Sequence, residues 1–241
     1  MLLRRVLRGL VDVFYPPRCV LCAAPLSRAE QCLCERCRAR LPLLRGARCP
    51  RCARPIRTYG GTDQLCGACR LHPHGLLDSI AAAGEYDGAL RELIHLYKYA
   101  RYQFLSRELA TLMLQQPAVV HLLGHADWLV PIPLHWTRTR WRGFNQAREL
   151  SRHLAAATAT GVLPDADFRR RRRTAPQVQL NAAGRAANMH GAFSVRNPTR
   201  IVGRRLLLVD DVYTTGATAA ECARALRRAG AVGVSLLVVA R

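Results

Sequence analysis

The 241-residue sequence predicts an α/β fold: a mostly parallel sheet with helices on both faces, preceded by a small cysteine-rich module. Three observations lead there. Nine of the ten cysteines fall between Cys19 and Cys69. Beyond residue 76, short apolar runs alternate with segments of helical periodicity. Those runs are almost continuously aliphatic, as strands covered on both faces must be. Half of the residues are hydrophobic, enough for a real core and too many for a disordered chain.

The elements follow in chain order. The opening MLLRRVLRGLVDVFYPPRC breaks its apolar stretch with arginines and lacks the continuous apolar core of an export signal. It reads as an amphipathic helix over residues 1–18. No apolar run reaches the ~18 residues of a membrane span. The expected compartment is therefore cytoplasmic and reducing, where clustered thiols bind metal rather than pair as disulfides. A cysteine-rich module occupies 19–72, and LHPHG (71–75) reads as a linker to a larger domain over 76–241. In that domain 79–86 reads as a strand, and 87–99 as a helix with Leu90, Leu93, Ile94 and Tyr97 on one face. A second helix follows at 104–115, then a strand at 126–133 ending in a proline turn, and a helix at 143–158. The last elements are a strand at 204–211, a helix at 217–230 stopped by Gly230, and a strand at 232–240.

The cysteines come as Cys19-x-x-Cys22, Cys34-x-x-Cys37, Cys49-x-x-Cys52 and Cys66-x-x-Cys69. Two-residue spacing lets both thiolates of a tight turn reach one tetrahedral ion, and two such knuckles complete a four-sulfur zinc site. Four knuckles suit two Zn2+ ions, and metal binding would supply much of the folding energy of so small a module. A redox CxxC is the other use of this spacing, but four in a row lack its thioredoxin-like setting. Sequential pairing gives sites 19/22/34/37 and 49/52/66/69; a cross-braced pairing satisfies the spacing equally. Cys32 has no place in either scheme, Cys222 stands alone, and His72 and His74 are bystanders to eight well-spaced cysteines.

Residues 206–218 read LLLVDDVYTTGAT. An aliphatic strand runs into Asp210 and Asp211, and ligands of open α/β sheets bind beyond the carboxyl ends of strands. The loop Val212, Tyr213, Thr214, Thr215, Gly216, Ala217 and Thr218 leads into the next helix. Backbone N–H groups and the helix dipole attract an anion there, the threonines add hydroxyl donors, and Gly216 lets the backbone approach. No Walker loop is present, so the site fits one terminal phosphate. Paired carboxylates accept from a vicinal diol and hold Mg2+ through water. Together these describe a ribose 5-phosphate site. A helix-capping turn with incidental acids is the plainer account, but it leaves the order of the whole unit unexplained.

VDDVYTTGAT resembles the 5-phosphoribosyl-1-pyrophosphate (PRPP) signature of type I phosphoribosyltransferases. The cysteine module, VPIPLHWTRTRWRGFNQAREL (130–150) and RTAPQVQLNAAGRAANMHGAF (173–193) are together similar to the ComF/GntX family of competence-associated proteins, over nearly the whole chain. The resemblance implies a double zinc ribbon followed by a Rossmann-like phosphoribosyltransferase domain that uses PRPP, or a related ribose 5-phosphate, with Mg2+. It implies that Asp210 and Asp211 hold the ribose hydroxyls and Mg2+, and that the 212–218 loop holds the 5-phosphate. Pro131, in the turn to Pro133, falls where the fold's pyrophosphate loop follows a strand. Arg142, Gly143, Phe144 and Asn145 belong to the family's RGFNQ stretch, and Lys98 matches a lysine of its first helix. Arg173, Thr174, Gln177, Arg185 and Asn188 fall in a mobile loop that closes over the site, with Arg173 and Arg185 as catalytic cations.

Lys and Arg total 37 against 16 Asp and Glu, a formal net charge of +21. Such a field attracts polyanions, though an arginine-rich solvated surface has the same composition. Five arginines, Arg169–Arg173, precede Gln177. Trp136, Trp141 and Phe144 interleave with Arg138, Arg140 and Arg142, a mixture that suits base stacking on single-stranded DNA and suits core packing equally. Two functions follow: an active phosphoribosyltransferase associated with competence, or a non-catalytic single-stranded DNA-binding accessory protein that works with DNA-uptake proteins and keeps the PRPP fold as a binding or regulatory site.

Overall fold

A computed structural model of the chain describes residues 17–27, 30–56, 64–71, 75–172 and 190–241. The expected amphipathic helix at the start, His72, His74, and the loop residues Arg173, Thr174, Gln177, Arg185 and Asn188 lie outside the described residues.

Two short helices, α1 (Glu35–Ala39) and α2 (Gly67–Leu71), belong to the cysteine-rich segment. The sheet region begins with β1 (Ile80–Gly84), α3 (Gly88–Tyr99), α4 (Leu105–Leu114), α5 (Pro117–Gly124) and β2 (Trp128–Pro131). It continues with α6 (Trp136–Arg142), α7 (Gln146–Thr158), β3 (Gly161–Val162), β4 (Phe168–Arg170) and β5 (Phe193–Val195). It ends with β6 (Arg205–Val212), α8 (Ala217–Arg228) and β7 (Gly233–Ala240). Strands β1, β7, β6, β2 and β3 pair in that order, all parallel, while β4 and β5 form a separate antiparallel ribbon. The expected fold class is therefore found, with the acidic β6 in the middle of the sheet.

Period-two alternation divides β6 between two cores. Leu207 and Val209 join the apolar side chains of α3, α4, α5 and α7 on one face. Leu206 and Leu208 join α8, Phe168 of β4 and Phe193 of β5 on the other. The helix expected at 87–99 forms because Asp87 caps it, accepting from the Gly88 N–H at 2.8 Å, while Leu90, Leu93, Ile94 and Tyr97 are fully buried. Cys222 is buried in α8 among the second core, so it is a packing residue.

One expectation needs correction. The helix predicted over 143–158 begins at Gln146, and a separate short helix, α6, precedes it. Gly143, at φ +85°, closes α6 in the left-handed conformation, and Asn145 starts α7 by accepting from the Ala147 N–H at 3.0 Å. Helix α5, not foreseen, starts with Pro117 at its first position.

The cysteine-rich segment is tied to the sheet through the stretch between its two halves. Leu43 bridges Gly84 in antiparallel fashion, the Leu44 N–H donates to Ala83 O at 2.9 Å, and the Glu85 N–H donates to Pro42 O at 2.9 Å. Gly84 permits this approach, because a Cβ there would stand 2.8 Å from Pro42 O.

Candidate functional site

β6 delivers Asp210 and Asp211 to the carboxyl edge of the sheet, where α3 faces them with Lys98. The Lys98 Nζ lies 2.7 Å from Asp211 Oδ1, and the two side chains are only 13% and 8% exposed. Burial pulls the Lys98 pKa down, but the charge and hydrogen bond of Asp211, with Asp210 behind it, outweigh that and hold it above the ordinary lysine value. Asp210 behaves differently. Its Oδ1 accepts the Asp211 N–H at 2.9 Å. Desolvation and the neighbouring Asp211 charge push its pKa up to about 7, against the opposing pull of Lys98 and Arg142. Two adjacent carboxylates thus share one lysine, and the second acid is left short of positive charge.

The loop after β6 turns through Tyr213–Gly216 into α8. Gly216 has φ +77°, and a Cβ there would meet the Tyr213 ring at 2.5–2.8 Å, so only glycine fits. Gly216 stands at the N-cap of α8 and has no side chain to offer it, so the positive end of the helix dipole faces the threonine loop. Thr214 and Thr215 are exposed beside it.

These groups line one cavity of about 620 Å³. Of the residues singled out from the sequence, Lys98, Arg142, Asn145, Asp210, Asp211 and every residue from Val212 to Thr218 line it. Pro131 sits buried at the end of β2 and does not, although Ile132 does.

Gln146 and Tyr99, to which the sequence assigns no role, also line the cavity, together with Arg138 and Trp141 of the expected stacking set and Arg170 of the basic run. Burial lowers Arg138, with help from the Arg142 charge. Burial and the Arg138 charge bring Arg170 down to about 10. Like charges are therefore gathered and desolvated here, as a polyanion site requires. Gln146 closes the RGFNQ stretch that supplies Arg142 and Asn145, and that adjacency is the signal that marks it.

The cysteines form two tetrads, Cys19/Cys22/Cys34/Cys37 and Cys49/Cys52/Cys66/Cys69, with the ligand atoms of each within 4.8 Å of one another. The pairing is sequential. The Cys22–Cys34 and Cys52–Cys66 sulfur separations are both 3.6 Å, near the ~3.8 Å edge of a tetrahedron with zinc–sulfur bonds of ~2.3 Å. The two knuckles are copies of one turn. Cys19 and Cys49 N–H donate to Ala24 and Arg54 O, each at 2.8 Å, and Ala23 and Ala53 take φ of +58° and +55°.

Cys32 belongs to neither tetrad. It is buried with its Sγ 3.7 Å from Glu108 Oε2, and Arg38 Nη1 meets Glu108 Oε1 at 2.5 Å. Burial and the Glu108 charge push the Cys32 thiol up to about 12, so it stays protonated. The first ribbon is thereby fastened to α4.

Residues 10–70 match the double zinc ribbon domain. The DNA utilization protein YhgH of Escherichia coli (strain K12) is 34% identical over 236 residues, covering 94% of this chain and 97% of that protein. Competence protein F of Haemophilus influenzae is 30% identical over 236 residues, covering 95% and 98%. A solved structure, the glutamine PRPP amidotransferase from B. subtilis complexed with ADP and GMP, superposes on 58% of this chain with TM-score 0.36 and 22% identity; the overlay spans 26% of that longer chain.

Proposed function

The chain belongs to the ComF/YhgH family of DNA utilization and competence proteins, and from that premise we propose that it binds PRPP with Mg2+ and transfers the phosphoribosyl group to a nitrogen nucleophile. One observation carries the reading. Two carboxylates at the end of β6 and the threonine loop that leads into α8 line the same cavity as Lys98.

The chemistry follows from the side chains. The loop from Thr214 to Thr218 takes the 5-phosphate at the positive end of α8. Asp210 and Asp211 accept from the ribose hydroxyls, which sets C1 toward the cationic wall. As the C1–oxygen bond breaks, pyrophosphate leaves with the bonding electrons, and Lys98 and Arg142 offset its growing charge. The nucleophile forms the C1–nitrogen bond and loses its proton. Two crowded carboxylates, one already forced to hold a proton near neutral pH, suit a hydrated Mg2+, which would further neutralise the leaving group. Arg173, Gln177 and Arg185 carry proposed roles that rest on the family pattern.

Calorimetric titration tests this reading. PRPP with Mg2+ is expected to bind roughly tenfold more tightly at pH 8 than at pH 6, because Asp210, at about 7, must shed its proton before it can take a cation. Its stability effect runs the other way: a carboxyl whose pKa is raised in the native state binds the proton more tightly there. The free protein therefore loses stability as pH rises from the ordinary carboxylate range towards 7. No measurable binding, or affinity that falls with pH, overturns the assignment.

A second reading, contact with single-stranded DNA, has its own support. Trp136 and Trp141 are 64% and 61% exposed, whereas Phe144 is 8% exposed and packs on Tyr97. The stacking set is therefore the two tryptophans with Arg138 and Arg140. Replacing both tryptophans by alanine is expected to weaken single-strand binding at least about tenfold, since stacking is worth ~1–3 kcal/mol per base. Affinity should also fall as salt rises. An affinity indifferent to both changes removes this reading.

A further inference from the structure

We propose that Gln146, with Arg138 and Arg142, forms a donor-only subsite for a diphosphate on the cavity wall built by α6 and α7, apart from the phosphate loop of α8. The inference rests on the PRPP reading and assigns the pyrophosphate end of that ligand to side chains other than the Pro131–Pro133 turn.

Hydrogen-bond polarity fixes the orientation of the Gln146 carboxamide. A guanidinium only donates. Arg142 Nη1 lies 3.1 Å from Gln146 Oε1, so the carboxamide must turn its oxygen to the arginine and its Nε2 away from it. Gln146 is 1% exposed, and among the described residues its Nε2 has no hydrogen-bond partner. Arg142 Nε is buried and likewise unsatisfied. Two buried donors left without acceptors in a cavity wall cost free energy unless a ligand completes them.

The surroundings specify that ligand. Asn145 cannot supply the missing acceptor: its Oδ1 takes the Ala147 N–H, and its Nδ2 donates to Ile132 O at 3.2 Å. Arg138 adds a second guanidinium from α6, and Arg170 of β4 lines the cavity too. Tyr99 orients Arg142 by lying 5.5 Å beneath its guanidinium. The subsite thus offers several donors and at least two positive charges, and its own acceptor, Gln146 Oε1, is already taken by Arg142. A ligand that is all acceptor and multiply anionic satisfies it, and two linked phosphates present acceptors to several of these donors at once. A single phosphate is already served by the α8 loop.

Inorganic pyrophosphate and ribose 5-phosphate, titrated separately into the full-length protein, test this. Gln146→Glu keeps the size of the side chain but turns the donor into an acceptor, and Arg138→Gln removes a charge from a half-buried position. Each variant is expected to weaken pyrophosphate binding at least about tenfold, the worth of one hydrogen bond to a charged group. Ribose 5-phosphate affinity should stay within about twofold, since the α8 loop is untouched. Unchanged pyrophosphate affinity, or an equal loss for both ligands, overturns the subsite. Failure of ribose 5-phosphate to bind the wild-type protein would instead count against the phosphate-loop reading, and the pyrophosphate arm would still decide this one.

Discussion

Asp210→Asn is expected to abolish Mg2+-dependent PRPP binding, a loss of about a hundredfold or more, while the free protein stays as stable as the wild type or gains stability. Two lost hydrogen bonds to a charged group, at ~1.5–3 kcal/mol each, account for the affinity. The stability follows from the strain on Asp210. Desolvation and the adjacent Asp211 charge already raise its pKa to about 7. An amide of the same shape has no charge to desolvate, repels nothing, and can still accept the Asp211 N–H. Asp211→Asn gives the contrasting result. It strips Lys98 of its 2.7 Å partner in a site where both side chains are largely buried. Breaking a buried pair costs about 3–5 kcal/mol, so this variant should lose ligand and melt early. Calorimetry and thermal unfolding of both variants separate the roles. Wild-type affinity in Asp210→Asn would remove the carboxylate from the site.

The two zinc sites should respond very differently to the loss of one ligand. Cys34→Ser and Cys66→Ser are each expected to lower zinc content from about two ions per chain to about one. Only the first should destabilise the whole fold. Cys19, Cys32, Leu33, Cys34, Cys37 and Leu41 are buried in the same apolar cluster as the leucines of α3 and α4, and the Arg38–Glu108 pair fastens them there. The second tetrad stands outside both apolar clusters, and Cys52, Cys66 and Cys69 are partly open to solvent. Structural zinc contributes ~10 kcal/mol or more to such ribbons, while a whole domain has a net stability of ~5–15 kcal/mol. Even a partial loss of about 5 kcal/mol at the first site lowers Tm by ~10–20 °C in a chain of this size. Cys66→Ser should leave the main transition within a few degrees. Melting at the wild-type temperature in both variants would show that both ribbons are peripheral, and equally early melting that both are integral; either result overturns the contrast.

Local signals in the sequence were enough for the parallel sheet, the four knuckles and the acidic strand end, because each rests on spacing within a few residues. Pairing of the knuckles was not settled that way. Sequential and cross-braced pairings satisfy the same spacing, and only the positions of the eight sulfurs separate them. The apolar periodicity carries the expected helix back to Gly143, whereas a left-handed glycine followed by a capping asparagine is the mark of two helices meeting. The sequence offers Arg138 for base stacking and Arg170 as part of a basic run, and gives Gln146 no role, because their shared wall exists only once α6, α7 and β4 converge. Nothing in the local pattern of an arginine-rich chain distinguishes these from its solvated charges. Cys32 needed the structure most, since its partner Glu108 lies on α4.

The backbone bridge between Leu43 and Gly84 has a consequence of its own. Strand β1 is the outermost member of the sheet on its side, all five of its residues are buried, and its sequence IAAAG carries no charge or proline to repel another strand. Such an edge is a template for aggregation unless something covers it. The stretch joining the ribbons supplies that cover, and it is held at both ends by metal tetrads. Loss of metal would therefore remove a guard as well as a scaffold, and solubility would depend on zinc supply before any chemistry in the cavity did.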